Sequence, residues 1–292
     1  MKSYLTMLAG VAAVSFAAVF IRLAEAPPMV IASCRMLIAS LVILPLAFYK
    51  TPKLFGGLSR NEIMLILLSS LFLALHFGLW ITSLEYTSIA SSVVLVTAHP
   101  VFVAVISYFI WGERLNRLTA GGIAIALAGV VIINYNGMSL ATQSLQGNLL
   151  ALLAALAMGG YLIIGGKLKT RINLLSYLAL VYSGAAVILL AATLIMGYSL
   201  SGYSGETYLM IVLLALVPQL VGHSLLNLAV RLVPVTIVSV AILGEPVGAT
   251  LLGTIILGEV PTVNEIAGGL LILGGIFVVL RHSRGGLLQS GK

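Results

Sequence analysis

Ten apolar stretches follow one another with only short connections between them, at residues 4–22, 29–49, 63–84, 88–111, 118–134, 147–166, 174–196, 208–230, 234–257 and 264–281. Each is near the ~20 residues that a helix needs to cross ~30 Å of hydrocarbon. Lipid offers the backbone no hydrogen-bond partner, so a crossing segment of this kind must satisfy its own N–H and C=O groups as a helix. The pattern predicts an all-α integral membrane protein with ten transmembrane helices and no inserted soluble domain. Charged residues make up 8% of the chain, against about a quarter in soluble domains. The first stretch, with Lys2 ahead and Ala24-Glu25-Ala26 behind, has the outline of a signal peptide. Its long apolar run favours a retained span.

A shift of 146 residues lays the chain over itself without a gap. His99-Pro100 falls on Glu245-Pro246, Gly112-Glu113 on Gly258-Glu259, Gly122 on Gly268, and Gly129 on Gly275. Loop charges change sign in the same alignment. Glu85 falls on Arg231, and the basic loop at Arg114 and Arg117 falls on an acidic one at Glu259 and Glu265. Similar halves whose loops prefer opposite faces mark an inverted repeat, the plan of many secondary transporters. The expected organisation is a first five-helix repeat at 1–134, an outer linker at 135–146, a second, inverted five-helix repeat at 147–281, and a cytoplasmic tail at 282–292. With the N-terminus in the cytoplasm, thirteen of the fifteen Lys and Arg lie inside. The exceptions are Arg22, at an outer helix end, and Arg35, within the second span. That excess on one face sets N- and C-termini cytoplasmic, in a bacterial or archaeal inner membrane. The net charge of +7 thus reflects topology and does not point to nucleic acid.

Other chemistries are poorly served. All eight acids are Glu and Cys34 is the lone cysteine, which argues against a disulfide, a Cys-based metal cluster and Asp-based catalysis. Neither a phosphate-binding Gly-x-x-x-x-Gly-Lys loop nor His-Glu-x-x-His occurs, so no ATP, zinc or other cofactor is expected. An intramembrane enzyme would need a constellation near one interface, and a channel would need repeated pore-lining acids. Ser92 and His99 form no triad with an evident acid. Ser59-Arg60-Asn61-Glu62 has the form of a capping box ahead of the third span. Gly121, Gly122 and Gly129, then Gly268, Gly269, Gly274 and Gly275, give the fifth and tenth spans small-residue faces suited to close packing. Packing within one chain is favoured over a dimer seam, leaving a monomer or homodimer. Glu113 and Glu259 read as turn and capping elements.

The repeated segments resemble the drug/metabolite transporter superfamily, specifically the EamA-type ten-helix exporters. The resemblance is carried by Tyr86-Thr87-Ser88-Ile89-Ala90, His99-Pro100-Val101-Phe102, Trp111-Gly112-Glu113-Arg114-Leu115, Val233-Pro234-Val235, Glu245-Pro246-Val247 and Leu257-Gly258-Glu259. Arg35 matches an arginine often found in the family's second helix. The resemblance spans about residues 4–281 and implies export of small metabolites, often amino acids, through a central cavity. Spans 1, 3, 4, 6, 8 and 9 would line that cavity, with spans 5 and 10 away from it. His99 departs from the family, where the position is more often uncharged.

Ionisable groups inside a span are costly and are functional candidates by default. Glu245 lies about eleven residues into its span, ~17 Å at the helix rise, near mid-membrane. It is the candidate for exchanging protons. His99 sits at the equivalent depth, and an ion pair between the two is conceivable. Pro100 and Pro246 should kink both helices and free the carbonyls of Val96 and Ile242. His76 with Trp80, and His223 with Asn227, are i, i+4 pairs that place polar groups on one helix face. Arg35 is near the outer end of its helix, where it could snorkel, pair with Glu25 or hold a substrate carboxylate. Tyr161 and Phe16 could line the cavity, though core packing suits both better. The alternatives to a proton-coupled metabolite exporter are multidrug efflux of lipophilic cations and an uncoupled facilitator.

Overall fold

Proline, serine and asparagine set most of the helix starts in the computed structural model, which describes residues 2–51, 57–87, 92, 95–112, 116–133, 142–258 and 260–287. Helix α1 (Lys2–Leu23) runs to a short connection before α2 (Pro28–Lys50). Pro28 opens α2, where the missing N–H would have had no helical acceptor. The expected capping box starts α3 (Arg60–Tyr86). Ser59 Oγ accepts from the Glu62 N–H at 3.3 Å, and the Glu62 carboxylate accepts from the Ser59 N–H at 2.8 Å. Next come α4 (His99–Trp111), α5 (Arg117–Ile133) and α6 (Thr142–Leu168). Asn173 caps α7 (Leu174–Ile195), and Ser204 caps α8 (Gly205–Leu232). The chain ends in α9 (Val235–Ile242), α10 (Glu245–Leu257) and α11 (Val263–Leu287).

Among the described residues, seven helices are long and apolar enough to cross a membrane, and three shorter apolar ones run over His99–Ile110, Arg117–Ile132 and Ile266–Arg281. Apolar side chains cover much of the outer surface; Phe109, Ile195 and Ile255 are among the exposed ones. In water such a surface would aggregate, and in lipid it is at home. Glu113 and Glu259, expected as turn and capping elements, and most of the linker at 135–146 lie outside the described residues.

Helix α3 packs along α6, α2 along α7, and α5 along α11. The last pair brings glycines of the two small-residue faces into contact. At Gly129 an added Cβ would lie 2.5 Å from the Gly268 carbonyl oxygen, and at Gly275 one would lie 2.5 Å from that of Gly122. The two backbones touch, as small faces permit where lipid supplies no hydrophobic drive. Gly121 and Gly274 have nothing within 4 Å of an added Cβ. The small-residue faces are therefore used within the chain, and by only part of their glycines.

At one end of the bundle the helix ends are tied to one another. Arg231 Nη1 donates to the Lys169 carbonyl at 2.9 Å, and Ser176 beside α7's start reaches Thr51 at 3.3 Å. The other end brings Thr87 against Asn148, at 2.8 Å.

Two departures from regular α-helix shape the centre. Both lie inside apolar segments. Residues 215–223 of α8 are wound as a π-helix around Pro218, a widened form that is rare and clusters at functional sites. The second departure occurs twice. Thr97-Ala98 and Leu243-Gly244 are turns, tightened by Ala98 N–H to Leu95 O at 3.2 Å and Gly244 N–H to Ala241 O at 3.0 Å. Helices α4 and α10 begin right after them, each with proline in its first turn and each ended by a left-handed glycine, Gly112 (φ 66°) or Gly258 (φ 68°). The prolines do more than kink, since the winding is interrupted outright.

Candidate functional site

The interrupted segments open onto a cavity enclosed by α1, α2, α3, α6 and α8 together with the chain around both breaks. A break in helical winding leaves backbone groups without helical partners, and such irregular backbone is tolerated at membrane depth where it lines a cavity. Six of the eight residues singled out in the sequence line this one cavity: Arg35, His76, Trp80, His99, His223 and Glu245. They are scattered over more than two hundred positions of sequence.

Glu245 is the first residue of α10. Ser15 fixes that turn against α1, with Oγ 2.8 Å from the Val11 carbonyl and 3.4 Å from that of Glu245. Gly248, one turn on, allows this approach, since any Cβ there would run into Ser15. The Glu245 side chain keeps partial exposure, as expected of a group on a cavity wall.

His99 is buried, and its Nδ1 donates to the Val96 carbonyl at 3.3 Å. The carbonyl freed by Pro100 is therefore taken up by the histidine one position before the proline. His99 Nε2 is buried without a hydrogen-bond partner, so the conceivable His99–Glu245 pair is not formed.

Arg35 does not snorkel. It is 1% exposed, with its guanidinium carbon 4.1 Å from the centre of the Phe77 ring and Nε donating to Gln219 Oε1 at 2.9 Å. Neither Gln219 nor Phe77 was picked out in the sequence. Pro218, inside an otherwise helical span, was the available signal for the π-helical turn that carries Gln219.

The i, i+4 pair on α3 holds together. His76 and Trp80 both line the cavity with their rings nearly parallel at 6.0 Å, and His76 Nδ1 donates to the Ala154 carbonyl at 3.1 Å. The pair on α8 splits. His223 lines the cavity edge-on to Phe77 at 5.3 Å, whereas Asn227 turns behind the wall, donating to the Tyr161 hydroxyl and to the His223 carbonyl at 2.7 Å. Tyr161 is fully buried there, a packing residue, as core packing suggested. Phe16 stacks on Phe20 at 5.7 Å.

Replacing Asn227 by Leu removes the partner of the Tyr161 hydroxyl and is expected to destabilise the fold by about 1–2 kcal/mol. The double variant Asn227→Leu, Tyr161→Phe should recover part of that loss. Thermal unfolding of the purified proteins measures both; additive losses would rule out the coupling.

The sequence model of the EamA-like transporter family matches this chain twice, over residues 1–135 and 145–281. The chain belongs to the EamA-like transporter family. It is a multi-pass membrane transporter, and neither the family nor its relatives' names point to an enzyme. This EamA-like protein is 27% identical to the uncharacterized transporter YetK of Bacillus subtilis, over 96% of this chain and 87% of that one. It is 26% identical to the uncharacterized inner membrane transporter YedA of Escherichia coli K12, over 87% of this chain and 82% of YedA. A solved crystal structure superposes with a TM-score of 0.84 over 97% of this chain and 98% of the other. At 18% identity that likeness is one of fold.

Proposed function

We propose that this EamA-like transporter exports a small polar or amphipathic metabolite, with amino acids and their relatives as the first class to test. The observation behind this reading is the cavity itself, in which a carboxyl, a guanidinium and three imidazoles converge at two helix breaks. A wall of few polar groups set among aromatic and apolar side chains suits a small amphipathic solute. The full arrangement is ten spans in two inverted five-helix repeats with both termini cytoplasmic, rocking about the central site in alternating access.

Proton exchange at Glu245 supplies the coupling, with His99 beside it. A carboxyl that is protonated in one state and charged in the other changes the electrostatics that the substrate meets. Glu245→Gln holds one of those states permanently.

The test is transport in proteoliposomes. Glu245→Gln should abolish flux driven by a pH gradient while leaving substrate exchange at equilibrium measurable. Driven flux equal to wild type would remove Glu245 from the coupling role and leave an uncoupled facilitator.

A further inference from the structure

We propose that Arg35 binds the carboxylate of the transported solute, and that Gln219, in the π-helical turn of α8, is the residue that positions the guanidinium to do so. This rests on the reading that the cavity is the substrate site and adds which chemical group the site recognises.

A guanidinium is always charged and is seldom buried without an anion to pair with. Arg35 is buried and borders the cavity, yet its hydrogen-bond acceptor among the described residues is the neutral amide of Gln219. Its Nη1 has no partner. Phe77 covers one face of the guanidinium plane, and Gln219 occupies Nε. The unused Nη1 is the group left for a ligand.

Other cavity-lining groups have unmet hydrogen-bonding capacity as well. Trp80 Nε1, which can only donate, and His223 Nδ1 are both buried without a partner. Buried polar groups in native proteins are almost always satisfied, so several orphans around one cavity call for a bound molecule to complete them. Arg35 and Trp80 both demand an acceptor, and Arg35 demands a negative one.

The charge balance narrows the class further. Arg35 is one fixed positive charge, and Glu245 lines the same cavity. A monocarboxylate or a zwitterion satisfies Arg35 and, if it carries an ammonium, also suits Glu245. A dianion such as a phosphate monoester would bring one negative charge too many beside Glu245, and a lipophilic cation would leave Arg35 Nη1 without an acceptor.

Gln219 owes its place to the backbone. It is fully buried, and it follows Pro218 in the widened turn. Its Oε1 accepts a hydrogen bond from Arg35 Nε–H, which holds the flexible side chain in a single orientation before any substrate arrives. Preorganisation of this kind strengthens binding by removing the cost of ordering the side chain.

Thermal unfolding of the purified wild-type protein tests the assignment without any substitution. The probes are L-amino acids and small monocarboxylates, each paired with its primary amide, together with glycerol phosphate and tetraphenylphosphonium. Ligands that bind the native state raise its midpoint. At least one acid should stabilise, with its amide weaker by about 30-fold or more, as expected when one partner of a buried charged pair is removed. In Gln219→Leu the acid should weaken while its amide changes little, so the acid-to-amide ratio collapses; Gln219→Asn should restore part of that ratio. A merely structural glutamine would weaken both probes alike. Equal stabilisation by acid and amide, preference for glycerol phosphate or tetraphenylphosphonium, or no response to any carboxylate would each overturn the proposal. Preserved acid selectivity together with undiminished driven flux in Glu245→Gln would refute the coupling role alone and leave carboxylate recognition standing.

Discussion

Leucine at Gly129 or Gly275 is expected to cause a large loss of stability. The reason lies in what an added Cβ would strike. At Gly129 it would lie 2.5 Å from the Gly268 oxygen and 2.8 Å from the Ile272 nitrogen; at Gly275 it would lie 2.7 Å from the Ala126 nitrogen. These are backbone atoms of a facing helix, which cannot rotate aside as a side chain does. The helices would have to separate, and Ala126, Val130, Ile272 and Val279, all buried in the seam, would lose their contacts. Overpacking of a tight site costs about 1–3 kcal/mol even before such secondary losses. Gly121→Leu and Gly274→Leu are the controls, since nothing lies within 4 Å of a Cβ at either position. They should stay within about 0.5 kcal/mol of wild type, in the ordinary range for surface substitutions. The unfolding midpoints of the four variants in detergent decide the matter. If all four behave alike, the backbone contact between α5 and α11 is not what holds them together.

The second large effect separates stability from function. Arg35→Met removes a buried charge whose hydrogen-bond acceptor among the described residues is an amide and which shares its cavity with Glu245, and a methionine fills similar space against Phe77. Replacing a whole buried ion pair by apolar groups of similar volume is often neutral or stabilising by about 1–4 kcal/mol, whereas leaving one charge uncompensated is costly. Glu245 can take up a proton once the arginine is gone, so no charge need be left uncompensated, and the ligand-free variant should unfold near the wild-type midpoint while its stabilisation by carboxylates disappears. Any gain will be lowered by the Gln219 amide, which is left without its partner. A strongly destabilised Arg35→Met protein would show that the arginine holds the fold. Retention of carboxylate-dependent stabilisation would show that the anion is bound elsewhere. Functional sites commonly conserve groups that cost stability, and this pair of measurements tests whether Arg35 is one of them.

How far the site was legible depended on the kind of signal. Glu245, His99, His76, Trp80, His223 and Arg35 were found because polar groups in apolar spans are expensive and therefore conspicuous, and they do line one cavity. Gln219 and Phe77 were missed for opposite reasons. A glutamine beside a proline carries no charge to draw notice, and a phenylalanine in an apolar span looks like packing. Arg35 was recognised, but its direction was not. Six or seven residues from a helix end, an arginine can reach the interface or turn inward, and only the position of the Gln219 carbonyl oxygen settles the choice. Asn227 shares a helix face with His223 by spacing, yet its side chain turns back to the His223 carbonyl and the Tyr161 hydroxyl, which spacing alone does not show.

Period, hydropathy and caps are local properties, and they were enough to determine that this chain is helical, that it belongs in a membrane, where α3 begins, and which breaks recur 146 residues apart. The matching turns at Thr97-Ala98 and Leu243-Gly244 were written in the two prolines that follow them. Which glycines touch across α5 and α11, whom Arg35 faces, and how six distant side chains come to share one cavity were decided by tertiary structure. Those outcomes depend on the rotation and separation of packed helices. A turn of one helix about its axis changes every neighbour it presents without altering the pattern of its sequence.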